Sequence, residues 1–179
     1  LVFLAKAKKS GTLLDPFCGT GTILLAGLDN SLSVIGIDTD QKCIHASEKN
    51  LEIFYPPEKQ KNLVWQVYKQ DSRFLAALNL PTVDTVVTEP YLGPFIKNLP
   101  AIDKGNEIMS ELELLYTDIL TQCVKHLKHE GRIIIVFPLY RYSGDMVVTV
   151  NYDRIAKKLG LKLVNEIKLF NESFIVKLI

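Results

Sequence analysis

Asp15-Pro16-Phe17-Cys18-Gly19-Thr20-Gly21-Thr22 decides the reading of this chain. Thr12-Leu13-Leu14 before it predicts a buried strand, and Thr22 to Leu28 after it predicts a short apolar helix. The octet therefore sits where a strand hands over to a helix. Gly19 and Gly21 let the backbone turn tightly and approach a ligand closely. Leu24 stands where the third glycine of the dinucleotide fingerprint would be. No Gly-Lys-Ser/Thr follows, so the stretch is not a phosphate-cradling P-loop either. The pattern points to a nucleoside without a pyrophosphate.

Working outward, strand and helix signals alternate. Val34-Ile35-Gly36-Ile37 predicts a second strand, ending in Asp38. Gln41 to Phe54 has a helical apolar face of Ile44, Ala46, Leu51 and Phe54, stopped by Tyr55-Pro56-Pro57. Leu63 to Tyr68 reads as a third strand running into Gln70-Asp71, and Ser72 to Leu78 as a short helix. Val83 to Val87 is a fourth strand, ending at Thr88-Glu89-Pro90-Tyr91. A loop from Gly93 to Gly105 is expected next, a candidate lid, and then the longest helix, Glu107 to Leu127. Gly131 precedes a strand at Arg132 to Phe137, and Tyr152 to Leu159 is helical with Gly160 as its C-cap. Lys162 to Phe170 and Ser173 to Ile179 read as a strand pair joined at Asn171-Glu172. Such alternation implies an α/β sheet of Rossmann-like kind, mostly parallel and covered on both faces, with an antiparallel C-terminal strand.

The 179 residues suffice for one domain, and 47% hydrophobic with 23% charged residues excludes a mainly disordered chain. No apolar run reaches the roughly 20 residues of a membrane span, and no signal peptide is visible. Cys18, Cys43 and Cys123 form no Cys-x-x-Cys pair, so neither a zinc site nor a disulfide framework is expected, and a reducing cytoplasm is. The net charge of +1 argues against a strong stand-alone nucleic-acid binder. The chain opens at Leu1 on what reads as the end of a helix, Leu1 to Ala7. Residues 1–179 are thus expected to be a single catalytic domain forming the C-terminal part of a longer protein.

In an open α/β sheet, ligands bind outside the carboxyl ends of the strands. Four such ends carry unusual residues. The first is the glycine turn, from which Asp15, Phe17, Gly19, Thr20 and Gly21 are candidate cofactor contacts. At the second, the Asp38 carboxylate suits two ribose hydroxyls, while Asp40 suits a helix N-cap. At the third, Asp71 with Ser72 suits the exocyclic amine of adenine, and Asp71 equally suits an N-cap. At the fourth, the Glu89 acid, Pro90 and the Tyr91 ring suit a flat amine, the acid accepting from its NH2 and the ring stacking on its base.

These motifs resemble the class I S-adenosylmethionine-dependent methyltransferases that act on exocyclic amines of nucleic-acid bases. Most of all they resemble the tRNA guanosine N2-methyltransferases whose catalytic domain follows a THUMP RNA-binding domain. That family's cofactor loop is similar to Asp15 to Thr22, and Gly36-Ile37-Asp38 and Asp71-Ser72 follow as its pattern does. The likeness runs from about Leu4 to the last strand. The fourth motif departs from it: the family's Asp/Asn-Pro-Pro-Tyr/Phe is here Glu89-Pro90-Tyr91-Leu92, with a longer acid and no second proline. No THUMP-like segment precedes Leu4.

The resemblance implies S-adenosylmethionine as cofactor and tRNA as substrate, docked mainly by an N-terminal region outside these residues. Glu89, Pro90 and Tyr91 are then the candidate catalytic residues. Open alternatives are an N6-adenine DNA methyltransferase, an enzyme methylating protein or a small molecule, and a non-catalytic cofactor-binding or partner subunit. Lys6, Lys8, Lys9, Lys97, Lys104 and Arg141 are candidates for an RNA path, although scattered lysines usually only solvate a surface. His126 and His129 are expected one helical turn apart at a helix C-terminus, where they complement the dipole. Methyl transfer from a sulfonium needs no metal, and none is expected.

Overall fold

The computed structural model describes residues 1–60, 62–169 and 173–178. Its strands are β1 (Thr12–Asp15), β2 (Ser33–Asp38), β3 (Trp65–Lys69), β4 (Val83–Thr88), β5 (Leu127–Arg141), β6 (Val147–Thr149), β7 (Leu163–Leu169) and β8 (Ser173–Leu178). They form one sheet in the order β3-β2-β1-β4-β5-β8-β7, with β6 paired to the far end of β5. β1 to β5 run parallel, β8 is antiparallel to β5, and β7 is antiparallel to β8. The expected Rossmann-like sheet is therefore present. The chain reverses its march across the sheet between β1 and β4, which makes their carboxyl ends the switch point.

The helices are α1 (Val2–Ala5), α2 (Thr22–Asp29), α3 (Gln41–Phe54), α4 (Pro57–Gln60), α5 (Ile102–His126) and α6 (Tyr152–Leu159). Period-two alternation sends consecutive strand residues to opposite faces. Leu14, Ile133, Ile135 and Phe137 pack with α5 and α6, whereas Leu13, Val34, Ile134 and Val136 pack with α1, α2 and α3. Two cores thus cover the two faces. Among the described residues, no helix is long and apolar enough to cross a membrane.

Several boundaries differ from the sequence reading. α5 begins at Ile102, so Gly105 lies inside it and the irregular loop ends at Ala101. A side chain at Gly105 would put its Cβ 2.5 Å from the hydroxyl of Tyr142; a contact with β5's extension, not a turn, accounts for that glycine. Gly131 lies within β5, just after Glu130, whose φ of +64° bends the strand where its pairing with β4 shifts register. α5 stops at His126, which places His129 in β5, so the two histidines do not share a helix. Pro57 opens the one-turn α4 and does not merely end α3. Residues 72–77 form a 3₁₀ turn, and β6 had no counterpart in the sequence reading. The proposed turn at Asn171-Glu172 lies outside the described residues.

Candidate functional site

The site is built on the carboxyl ends of β1, β2, β3 and β4. At the end of β1, Cys18 donates its backbone N–H to the carbonyl of Ile37 at 2.9 Å, which sews the glycine turn to β2. Gly19 (φ +52°) and Gly21 (φ +89°) are left-handed, and Gly21 N-caps α2. Gly21 also lies against α3: a Cβ there would fall 2.5 Å from Ser47 Oγ. Ser47 is fully buried, and its hydroxyl has no hydrogen-bond partner among the described residues. Asn50, one turn along α3, donates to the carbonyl of Thr20 at 3.0 Å. Two polar residues of α3 thus support the turn, and no local sequence signal marks either of them.

Asp38 closes the turn from β2. One carboxylate oxygen accepts from the N–H of Gly19 at 2.9 Å and the other from the N–H of Asp40 at 2.8 Å. Asp40 caps α3 through the N–H of Lys42, as its position in the sequence suggests. Asp71 caps the 3₁₀ turn through the N–H of Arg73 and also binds the Arg73 guanidinium, 2.6 Å from Nη2. The Arg73 hydrogen bond holds the Asp71 carboxyl below the usual carboxylate range. Ser72 is buried and donates to the carbonyl of Pro16 at 2.7 Å, so it braces the first turn from β3. Phe17, Asp38, Gln70, Asp71, Ser72 and Ile119 line an open cavity at this end. Ile119 reaches it from α5, a contribution with no trace in the local sequence.

Asp15 lies beneath the turn, 1% exposed. Its Oδ1 accepts from the N–H of Phe17 at 3.1 Å and from the hydroxyl of Thr88 at 2.7 Å. Burial, helped by the charges of Asp38 and Glu89, pushes its carboxyl up to about 7 against the pull of these two bonds. Three carboxylates from three strand ends therefore share one field, and the site suits a cationic ligand.

Past Thr88, Glu89 is exposed, Pro90 is buried and the Tyr91 ring is 55% exposed. None of the three lines the cavity beside Asp71. The structure brings Asp15, Phe17, Gly19, Asp38 and Ser72 into one connected network. It sets Glu89, Pro90 and Tyr91 apart, on the β4 side of the switch point. Beyond them, Phe95 and Leu99 are exposed on the loop leading to α5. Among the proposed basic contacts, Lys104 pairs with Glu107 at 2.7 Å. Among the described residues, no group of three or more His, Cys, Asp or Glu could hold a metal ion.

Residues 1–157 match the family model described as RMKL-like, methyltransferase domain (UPF0020). A protein of Methanothermococcus thermolithotrophicus named "Probable tRNA (guanine(10)-N2)-dimethyltransferase" is 37% identical over 93 residues, covering 52% of this chain and 57% of that protein. The tRNA (guanine(10)-N2)-dimethyltransferase of Methanocaldococcus jannaschii is 34% identical over 113 residues, 63% of this chain and 32% of the relative. The chain thus spans only part of the length of these relatives. The crystal structure of TrmN from Thermus thermophilus superposes with a TM-score of 0.66 at 20% identity, over 99% of this chain and 46% of that one, a likeness of fold.

Proposed function

The chain belongs to the RMKL-like methyltransferase domain family, and on that premise we propose that it transfers methyl from S-adenosylmethionine to guanine N2 in tRNA. The observation that carries the cofactor half is the pair of carboxylates, Asp15 beneath the glycine turn and Asp38 closing it from β2, at the switch point. A cationic nucleoside fits that field, and the anionic phosphates of a dinucleotide do not. Phe17, Gly19, Thr20, Gly21 and Asp38 would hold the cofactor's sugar and amino-acid parts, with Asp15 beneath them and Asp71 and Ser72 at the adenine end. The acceptor half rests on the names of the matched relatives and on the acid, proline and aromatic after β4.

S-adenosylmethionine, when bound, supplies a methyl on a positive sulfur, so its departure needs no acid. The chain's task is to aim a poor nucleophile, because an aromatic amine's lone pair is delocalised into its ring. Glu89 and the carbonyl of Pro90 accept the two amine hydrogens and turn the lone pair toward the methyl. Tyr91 stacks on the extruded base and offsets part of an unstacking cost of about a few kcal/mol. This is positioning and electrostatics, with no covalent intermediate on the chain.

We read residues 1–179 as one catalytic domain of a cytoplasmic, tRNA-modifying protein. Docking of tRNA would rest mainly on regions that the relatives carry beyond the matched part. The chain's weak net charge supports this reading. The test is methylation of bulk tRNA with labelled cofactor, followed by nucleoside analysis. Label in N2-methylguanosine is expected. Label in adenosine in place of guanosine overturns the acceptor assignment.

A further inference from the structure

We propose that Tyr116 is a positioning residue for methyl transfer: from α5, its hydroxyl holds the backbone of the loop that presents Glu89, Pro90 and Tyr91 to the acceptor amine. The inference rests on the reading of that loop as the acceptor site.

The loop leaves β4 after Thr88 and has no helix or strand until Ile102. It lies on α5. Gly93, at φ +106°, faces Ile108 and Leu112, whose side chains would be 3.4 Å from a Cβ there. Tyr116 donates to the carbonyl of Tyr91 at 2.7 Å. Ile108, Leu112 and Tyr116 are spaced by four, so they form one stripe along the helix. The loop backbone is seated on that stripe, with the phenol as its hydrogen-bonding end.

Packing alone does not require a tyrosine here. The ring is 1% exposed and sits against Phe137 of β5 at a centroid distance of 5.4 Å, and Phe137 in turn stacks on Tyr152 at 6.1 Å. Phenylalanine would fill that space. A buried hydroxyl costs stability unless it is paired, and this one is paired with the backbone of the loop. Burial raises the phenol's pKa, so it remains a donor at ordinary pH. Because the ring is locked in the core, the hydroxyl is a fixed point. The Tyr91 carbonyl it holds is one peptide beyond the Pro90 carbonyl and borders the Tyr91 ring, and both of these would meet the base.

The test is Tyr116→Phe, with Cys123→Ala as comparator; Cys123 is buried in the same helix two turns further on. Three quantities decide it: turnover at saturating cofactor and tRNA, cofactor affinity, and hydrogen exchange of the amides in residues 89–99. For Tyr116→Phe, turnover should fall about 10- to 100-fold, the scale of a misaligned reacting group. Cofactor affinity should stay within about twofold, and exchange in 89–99 should quicken. Cys123→Ala should lower melting temperature by at least as much while leaving turnover per folded molecule and loop exchange near wild type. Unchanged turnover and exchange in Tyr116→Phe overturns the proposal. So does an equal loss of turnover in both variants, which would make Tyr116 a core residue only. If wild type labels adenosine in place of guanosine, the acceptor reading itself fails, and the exchange data still report whether Tyr116 seats the loop.

Discussion

Thr88 at the end of β4 donates its hydroxyl to Asp15 at the end of β1, Oγ1 to Oδ1 at 2.7 Å, across the switch point of the sheet. Both side chains are buried. The same carboxylate oxygen accepts from Phe17 of the glycine turn, so one atom ties the proposed cofactor loop to the strand that delivers Glu89. With both bonds on Oδ1, Oδ2 is the place for a proton when the carboxyl is neutral.

That carboxyl makes stability depend on pH. Its pKa is raised from 3.8 to about 7, chiefly by burial. The folded state therefore binds the proton more tightly than the unfolded chain. This contribution is full below the unfolded value and is lost as pH rises through about 7, a few kcal/mol at most. Asp15→Asn, which keeps an acceptor for Thr88 and Phe17, should flatten the decline in stability between about pH 4 and 7. It should be more stable than wild type at pH 8. Denaturant unfolding across that range checks this, and parallel curves for the two proteins would remove Asp15 as the source.

Cofactor binding should move the same proton. A sulfonium or ammonium near Asp15 favours its ionised form. S-adenosylmethionine binding near pH 7 should thus release up to about one proton, and its affinity should rise with pH through that region. Calorimetry in two buffers of different ionisation enthalpy measures the release. NADPH should not bind, because Asp38 repels a 2′-phosphate. NADPH binding without S-adenosylmethionine binding would end the methyltransferase reading of the site.

Gly21→Ala should disable the turn for two reasons. Alanine is strained at φ +89°, by roughly 1–2 kcal/mol, and its Cβ meets Ser47 Oγ at 2.5 Å. Cofactor affinity should fall by at least about tenfold. Adding Ser47→Ala removes the hydroxyl but not the strain, so it should recover part of the loss. Titration of the single and double variants tests the coupling; strictly additive effects would mean that an alanine at position 21 does not press on Ser47.

Glu89→Ala should leave cofactor affinity within a few-fold and cut turnover by about 10²–10³, the usual effect of removing one oriented group. Glu89→Gln should be milder, since its amide oxygen still accepts one hydrogen bond. Glu89→Asp tests reach. Single-turnover methylation with saturating cofactor separates these from a loop-stabilising role, under which Ala would lower melting temperature and leave turnover per bound molecule unchanged.

The sequence by itself determined the elements that rest on local chemistry. Short continuous apolar runs alternating with helices imply a mostly parallel sheet, and Asp15 to Thr22 reads as a tight strand-to-helix turn. Asp40 was legible as a cap because capping depends on residues two or three positions away. What only the tertiary structure decided involves residues far apart in the chain. Gly105 read as a loop residue, yet it lies inside α5, and it is glycine because the Tyr142 hydroxyl lies 2.5 Å from its Cβ position. The Asp15 titration depends on burial and on Thr88, 73 residues away. Ser47, Ile119 and Tyr116 carry no local signal, since a residue's part in a site at the strands' carboxyl ends is set by which face of a packed helix points there.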